Sequence, residues 1–307
     1  MRNKQQLKLV AAHSVTIVLW ASAFPGIRAA LTAYSPEHVS LLRLLVGSGF
    51  LLIVAMILKI RLPEKRDFPV ILLLGFLGFS VYQMGLNYGE QAISSGAASL
   101  LVSTSPIFAA LLALIFFRER FGMRGWLGVW IAFAGVAFLS LGESEEDLAF
   151  QAEALIILVA SLAESIYFVF QKSYLEKYGF IPFTMYTIWA GTLLMLPFAP
   201  GLGEAVSQAP LEVTLVVVYL GIFPSVMPYL ALAYIISRTG ASEGTSSLFL
   251  TPVFAFLIAW IWLDEVPTSF AILGGVITLL GVFVSHMKKS DSEKLEARGV
   301  PGDRHVG

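Results

Sequence analysis

The sequence predicts an all-α integral membrane protein with ten transmembrane helices, arranged as two inverted five-helix repeats. Hydrophobic residues make up 57% of the 307 residues, charged residues make up only 13%, and the mean hydropathy is +0.79. An ordinary soluble domain is considerably less apolar than this chain. The lengths of the apolar runs, the distribution of basic residues and an internal repeat together predict how many helices there are and how they are oriented.

Apolar runs of membrane-spanning length predict the ten helices. A bilayer core about 30 Å thick needs roughly 20 apolar residues per helix. The predicted spans are 9–31, 38–58, 68–89, 95–117, 125–141, 154–171, 182–200, 213–235, 244–263 and 268–287. The first five form one repeat, 9–141, and the last five form a second, 154–287. Residues 288–307 are charged and lack apolar periodicity, so we expect a disordered cytoplasmic tail.

The basic residues predict the orientation of these spans. Of the 20 Lys and Arg residues, 18 lie before the first span, in the loops after even-numbered spans or in the tail. The other loops have none, and one of them contains the acidic run 143–147. Because basic residues of short loops stay in the cytoplasm, we expect both termini there and the cell membrane as the location.

The second half of the chain repeats the first at a shift of 146 residues. Positions 106–136 and 252–282 share 12 identities in 31 without a gap, including Pro106 with Pro252 and Glu119 with Glu265. Each unit has five spans, and an odd number places the second unit in the membrane upside down. Inverted repeats recur in secondary transporters, whose substrate site lies near the bilayer midplane between the repeats.

Several segments together resemble one known family. The first span contains Trp20-Ala21-Ser22-Ala23-Phe24 followed by Arg28, the second contains Arg43 in 41–45, and the stretch 106–119 recurs at 252–265. In these features the chain resembles the EamA family of the drug/metabolite transporter superfamily over nearly its whole length. The resemblance implies a ten-helix exporter or importer of small metabolites, often amino acids. Leu44 departs from the family pattern, in which Phe commonly follows the Arg.

Three charged side chains lie well inside the predicted spans. An ionised group at that depth is costly unless it faces a cavity or a partner, so it is a functional candidate. Glu164 lies near the middle of the sixth span, where the family usually has a neutral residue. It could bind a cationic group of the substrate or exchange a proton as the coupling residue, or it could simply join helices. Arg43 could hold a carboxylate or tie helices together, and Arg28 could extend toward the membrane surface.

Aromatic and polar side chains at helical spacing complete the predicted site. Rings with polar groups suit an organic solute better than a bare ion. The predicted substrate-binding residues are Trp20, Arg43, Asn87, Tyr88, Glu164, Tyr167, Trp189 and Tyr229. Pro224 and Pro228, four residues apart in the eighth span, are the predicted hinge, with a static kink as the alternative.

The sequence therefore favours a secondary transporter that moves a small, amino-acid-like solute across the cell membrane by alternating access, in the export direction. Its expected partners are that solute and membrane lipid, with a proton or another ion as the coupling candidate and no nucleic acid. A flippase of lipid or lipid-linked sugar is the alternative, and a membrane enzyme or sensor ranks below it. We expect no enzymatic activity, metal or cofactor, because the chain has no Cys, no HExxH and no GxxxxGK[ST] motif.

Overall fold

The computed structural model describes residues 2–118, 122–140, 148–264 and 269–286, and within these ranges the chain is helical and contains no strand. The predicted tail 288–307, together with Glu119 and Glu265 of the repeat, lies outside the described residues. The helices in the described part are α1 (Arg2–Ala30), α2 (Pro36–Leu58), α3 (Phe68–Gly75), α4 (Tyr82–Gly89), α5 (Ser95–Val102), α6 (Ser105–Phe117), α7 (Met123–Ser140), α8 (Leu148–Phe170), α9 (Lys172–Tyr178), α10 (Phe180–Met195), α11 (Leu202–Gln208), α12 (Leu211–Thr239), α13 (Ala241–Thr245), α14 (Thr251–Leu263) and α15 (Ser269–His286).

Eight helical stretches in the described residues are long and apolar enough to cross a membrane. They are Gln5–Ala30, Pro36–Leu58, Lys65–Gly89, Ser95–Phe117, Ala152–Phe170, Phe180–Phe198, Leu211–Thr239 and Ala241–Leu263. These stretches match the predicted spans one to four and six to nine, so the prediction of an all-helical, multi-pass membrane protein is confirmed. The helices α7 and α15 occupy the places of the predicted fifth and tenth spans and have 18 residues each. The total of ten spans stays a prediction.

Three of the spans contain an irregular turn or a break between two helices. A π-helical turn, Phe76–Val81, joins α3 to α4 within the third span. The fourth span is interrupted between α5 and α6, where the Thr104 hydroxyl donates to the carbonyl of Leu101 at 2.7 Å. Pro106 follows in the first turn of α6, where its missing N–H is tolerated. In the ninth span a 3₁₀ turn, Ser246–Leu250, links α13 to α14.

The helix boundaries recur at the offset found in the sequence. The starts of α5 and α13, and both ends of α6 and α14, are 146 residues apart. The residue directly after each of α6 and α14 has a left-handed backbone conformation, with φ of 52° at Arg118 and 56° at Asp264. Two segments that share their sequence pattern thus also share their local backbone.

The helices α7 and α15 pack closely through glycines. A Cβ atom at Gly135 would lie 2.5 Å from the backbone nitrogen of Thr278, and one at Gly281 would lie 2.3 Å from the backbone nitrogen of Ala132. Small residues allow such close approach of helix backbones in membranes. Gly281 and Thr278 are the positions 146 residues after Gly135 and Ala132. The same contact is therefore made twice with the partners exchanged.

A second close approach joins the two halves between α2 and α12. A Cβ atom at Gly47 would lie 2.8 Å from the carbonyl oxygen of Gly221, and one at Gly221 would lie 2.8 Å from the carbonyl oxygen of Arg43. Only glycines at these two positions allow the backbones to come this close. This contact places Arg43 beside α12 in the interior of the protein.

Candidate functional site

A small buried cavity lies between helices of both halves. Its lining combines charged, hydroxyl, aromatic and apolar side chains, namely Trp20, Ala23, Phe24, Arg43, Tyr82, Leu86, Ser99, Val102, Ser103, Ser105, Glu164, Tyr229, Leu248 and Thr251. The free space is about 30 Å³, which is room for only one or two water molecules. The structure is therefore a closed state, and an organic solute can enter only if the surrounding helices move apart.

Glu164 of α8 is one of the two buried charged groups that line the cavity. Its side chain is 2% exposed, and its Oε1 accepts a hydrogen bond from the Tyr229 hydroxyl at 2.8 Å. The Ser105 side chain also lines the cavity, and its hydroxyl donates to the carbonyl of Ser161 at 3.4 Å. Among the described residues, no basic side chain forms an ion pair with this carboxyl group. A buried carboxylate without a cation is costly, so Glu164 can either hold a proton or receive a cationic group.

Arg43 of α2 is the other buried charged group on the cavity wall. Its Nε donates to the Ser225 hydroxyl at 3.3 Å and its Nη1 donates to Asn87 Oδ1 at 3.4 Å. The Asn87 amide is itself held, because Nδ2 donates to the Ser40 hydroxyl at 2.7 Å. A guanidinium has five N–H donors, so these two neutral contacts leave donors for an anion. No carboxylate in the described part of the chain forms an ion pair with Arg43.

A cluster of aromatic rings lies beside Glu164, and two of its members, Trp20 and Tyr229, line the cavity. The ring of Tyr229 stands edge-on to Trp20, with centroids 5.0 Å apart, and contacts Phe79 at 4.6 Å. Tyr167 packs against Phe79 at 5.2 Å and lies over Gly78 of the π-helical turn. A Cβ atom at Gly78 would lie 2.6 Å from Cγ of Tyr167. The π-helical turn and its glycine therefore make the space that the Tyr167 ring occupies.

The two prolines of the predicted hinge are connected to this cluster. They lie within the continuous helix α12. Because Pro228 has no N–H, the carbonyl of Pro224 lacks its usual partner four residues later. The indole Nε1 of Trp20 donates to that carbonyl at 3.1 Å. A side chain of α1 thus supplies a hydrogen bond to the carbonyl of Pro224 in α12. The hinge role of Pro224 and Pro228 stays a prediction.

Replacing Trp20 by Phe should destabilise the protein, because the Pro224 carbonyl would lose the hydrogen bond that the indole donates. An unsatisfied buried acceptor costs about 1–3 kcal/mol. Thermal unfolding in detergent measures the change. Trp260→Phe in α14 is the matched control, since Trp260 is 47% exposed. Equal melting temperatures for the two variants would contradict this role of the indole.

The structure brings together most, but not all, of the predicted substrate residues. Trp20, Arg43, Glu164 and Tyr229 line the cavity, Asn87 holds Arg43, and Tyr167 packs against Tyr229. Tyr88 and Trp189 lie elsewhere. The Tyr88 hydroxyl donates to Glu37 Oε2 at 3.0 Å, and Nε1 of Trp189 donates to the carbonyl of Ser48 at 3.2 Å. The closed cavity does not test a substrate role for these two.

Sequence reasoning missed a buried acid and the hydroxyl groups of the cavity. Glu90 directly follows α4 and is fully buried, but the predicted third span ended one residue before it. Nη1 of Arg28 donates to the carbonyls of Glu90 at 3.0 Å and Ile93 at 3.3 Å, in the turn between α4 and α5, and its extension toward the membrane surface stays a prediction. Ser99 and Ser103, one helical turn apart in the predicted fourth span, were the available signal for the hydroxyl-lined wall.

The fold and the cavity define a class of protein, a multi-pass membrane protein whose helices enclose a charged and polar pocket. The model of the EamA-like transporter family matches residues 9–141 and 151–287. The chain belongs to this family of membrane transporters, and the resemblance found in the sequence is confirmed.

Two relatives and one solved structure show how far the similarity extends. The "Uncharacterized transporter YdfC" of Bacillus subtilis (strain 168) is 50% identical over 95% of both chains. The "Probable terminal-alkyne amino-acid exporter" of Streptantibioticus cattleyicolor is 36% identical over 97% of this chain and 99% of that protein. A solved crystal structure matches with a TM-score of 0.71 and 17% identity, over 91% of this chain and 96% of its own. That last likeness concerns the fold alone.

Proposed function

We propose that this chain is a secondary transporter that exports a small, amino-acid-like solute across the cytoplasmic membrane by alternating access. One observation carries the proposal: the closed cavity is lined by Arg43 and Glu164, which are both buried and do not pair with each other. A zwitterion supplies a partner for each, a carboxylate for the guanidinium and an ammonium for the carboxylate. The rest of the wall combines apolar side chains with uncharged hydroxyl groups and suits an uncharged side chain.

Family membership and one relative's name support this proposal. The relative called an amino-acid exporter is similar over nearly its whole length, which supports both the solute class and the direction. Membership in a transporter family also supports a function without catalysis. The closed cavity supports alternating access, because no metabolite fits into it unless the helices rearrange. We propose Glu164 as the group that exchanges a proton if transport is coupled to a proton gradient.

The proposed architecture is ten spans in two inverted repeats with both termini in the cytoplasm. The helix boundaries that recur at a spacing of 146 residues support the repeat. The exchanged glycine contacts between α7 and α15 support a two-fold relation of the halves. The basic residues on one side of the predicted spans support the orientation.

Transport by the purified protein in proteoliposomes tests this function. Labelled neutral, acidic and basic amino acids would be offered in counterflow, with and without a pH gradient. We expect counterflow of neutral amino acids. If Glu164 exchanges a proton, a pH gradient should change the rate of this counterflow. Exchange of none of these solutes would contradict the proposal.

A flippase of lipid or lipid-linked sugar is the second candidate, and a lateral groove favours it. The groove has a volume of about 550 Å³ and lies among the third, sixth and seventh spans. Its wall is mainly apolar and includes Phe76, Met84, Leu155, Val159 and Phe198. Fluorescent lipids in the same vesicles separate the two candidates, because lipid scrambling without solute exchange would favour the flippase.

Replacing Arg43 by Lys should weaken binding of an amino acid by about tenfold, which corresponds to about 1.4 kcal/mol. Lysine is a point charge and cannot form the two parallel hydrogen bonds of a guanidinium with a carboxylate. Competition against labelled solute measures the affinity. The matched control is the amine that lacks the carboxylate, whose binding should stay the same. An Arg43→Lys protein with normal affinity for the amino acid would argue against carboxylate recognition.

A further inference from the structure

A second charged cluster lies outside the cavity, at the end of the molecule where α9 meets the start of the third span. The ammonium of Lys177 lies 2.5 Å from Asp67 Oδ2 and 3.0 Å from Glu64 Oε2. The Tyr178 hydroxyl donates to Asp67 and accepts from the backbone N–H of Glu64, the latter at 3.1 Å. Asp67 is 8% exposed, whereas the side chains of Lys177 and Glu64 are 28% and 51% exposed, so water reaches the cluster from the Lys177 side.

The cluster connects the two halves of the chain. Glu64 and Asp67 belong to the first segment matched by the family model, and Lys177 and Tyr178 belong to the second. Rings of the second half hold Tyr178 in place, with Tyr186 edge-on at 5.6 Å. The hydrogen bond to Asp67 holds the pKa of Lys177 above its ordinary value. The ammonium therefore stays charged at physiological pH.

Hydrogen bonds also join the two halves at the opposite end of the described part of the chain. There, the Tyr34 and Thr214 hydroxyls are 2.6 Å apart, and Nε2 of His38 lies 3.1 Å from the carbonyl oxygen of Pro200. Neither contact involves a carboxylate. Hydrogen bonds between charged groups are roughly twice as strong as neutral ones. The Asp67–Lys177 contact therefore differs in kind from these hydrogen bonds, because it joins two oppositely charged groups.

We infer that Asp67, Lys177 and Tyr178 form a latch that holds the two halves together at this end, and that the latch must break before the cavity opens there. By the charge distribution this end is the cytoplasmic one. The inference deepens the proposed alternating access and relies on it for its role in transport. The latch itself is a property of the free protein, and its opening can be measured without any solute.

Distance measurement between two spin labels tests the latch. The chain contains no Cys, so Leu62→Cys and Glu176→Cys introduce a defined pair. Both sites lie on the surface beside the cluster, one in each half, and Leu62 is 82% exposed. In lipid nanodiscs without solute we expect one short distance in the labelled parent. In Asp67→Asn and in Lys177→Gln we expect a second, longer distance, populated at least severalfold more than in the parent.

Two further variants make the test specific. Arg66→Gln is the matched control, because Arg66 is 75% exposed and contacts the same carboxylates from outside, at 2.6 Å from Glu64 and 4.0 Å from Asp67. It should keep the parent distance. Exchanging the charges, Asp67→Lys with Lys177→Asp, should restore the short distance. Unchanged distances in both single variants, or a folded exchange variant that stays open, would overturn the latch. Either result leaves the solute assays of the proposed function unaffected.

Discussion

Replacing Glu164 by Gln is expected to lower the rate of solute transport by about tenfold or more while the protein stays folded. Glutamine has nearly the same shape, and its Oε1 can still accept the hydrogen bond that Tyr229 donates at 2.8 Å. It can neither pair with an ammonium group nor exchange a proton. A hydrogen bond to a charged group contributes about 1.5–3 kcal/mol, so loss of one such bond is sufficient for this effect. Initial rates in proteoliposomes across a range of pH measure it.

The same change at the surface provides the control for Glu164→Gln. Glu176 is exposed on α9, and Glu176→Gln should transport at the parent rate. If Glu164→Gln keeps both the rate and the pH dependence of the parent, Glu164 only joins helices, and the carboxyl group has no part in binding or coupling.

Replacing Gly281 by Ala is expected to destabilise the protein strongly, and Gly135→Ala should do so to a similar extent. The added methyl group would lie 2.3 Å from the backbone nitrogen of Ala132 in the first variant and 2.5 Å from that of Thr278 in the second. The neighbouring atoms are backbone and cannot turn aside, so α7 and α15 must separate. Overpacking of this kind costs about 1–3 kcal/mol. Thermal unfolding of the purified variants in detergent measures the loss.

Gly275→Ala, which lies on α15 like Gly281→Ala, is the control for both variants. Its Cβ atom would lie 3.8 Å from Cγ2 of Val253, an ordinary contact, and its stability should be close to that of the parent. A large loss for Gly281→Ala together with none for Gly135→Ala would mean that the two contacts are not equivalent. The two-fold relation proposed for the halves would then fail at this interface.

Most of the spans could be predicted from the sequence, because apolar length alone decides whether a helix can cross a membrane. The irregular turns and breaks within the spans differ in whether the sequence predicts them. Pro106 and the hydroxyl of Thr104 signal the interruption of the fourth span, since one removes an N–H and the other competes for a carbonyl. The π-helical turn Phe76–Val81 has no such signal. It lies at a tertiary contact, because the ring of Tyr167 from another helix occupies the space over Gly78.

Some residues of the candidate site could likewise be predicted from the sequence, and others could not. Arg43 and Glu164 stand out because a charge inside an apolar run is rare and costly. Ser99 gave a weak signal, because a hydroxyl in a helix can bond to its own backbone, as this one does to Gly96 at 2.6 Å. The latch could not be predicted, since Asp67 and Lys177 are 110 residues apart and each alone is an ordinary surface charge. Aromatic residues such as Trp189 fit packing and binding equally well in a sequence.

Accessibility of a cysteine placed in the cavity is the most direct test of a pocket that opens alternately to each side. Ser99 lines the cavity and is 1% exposed, and Ser99→Cys is a small change in a chain that has no other Cys. Membrane-impermeant maleimide would be applied to oriented vesicles from one side or the other. We expect labelling from both sides and slower labelling when a transported amino acid is present. Labelling from one side only, with or without solute and with or without a pH gradient, would contradict alternating access.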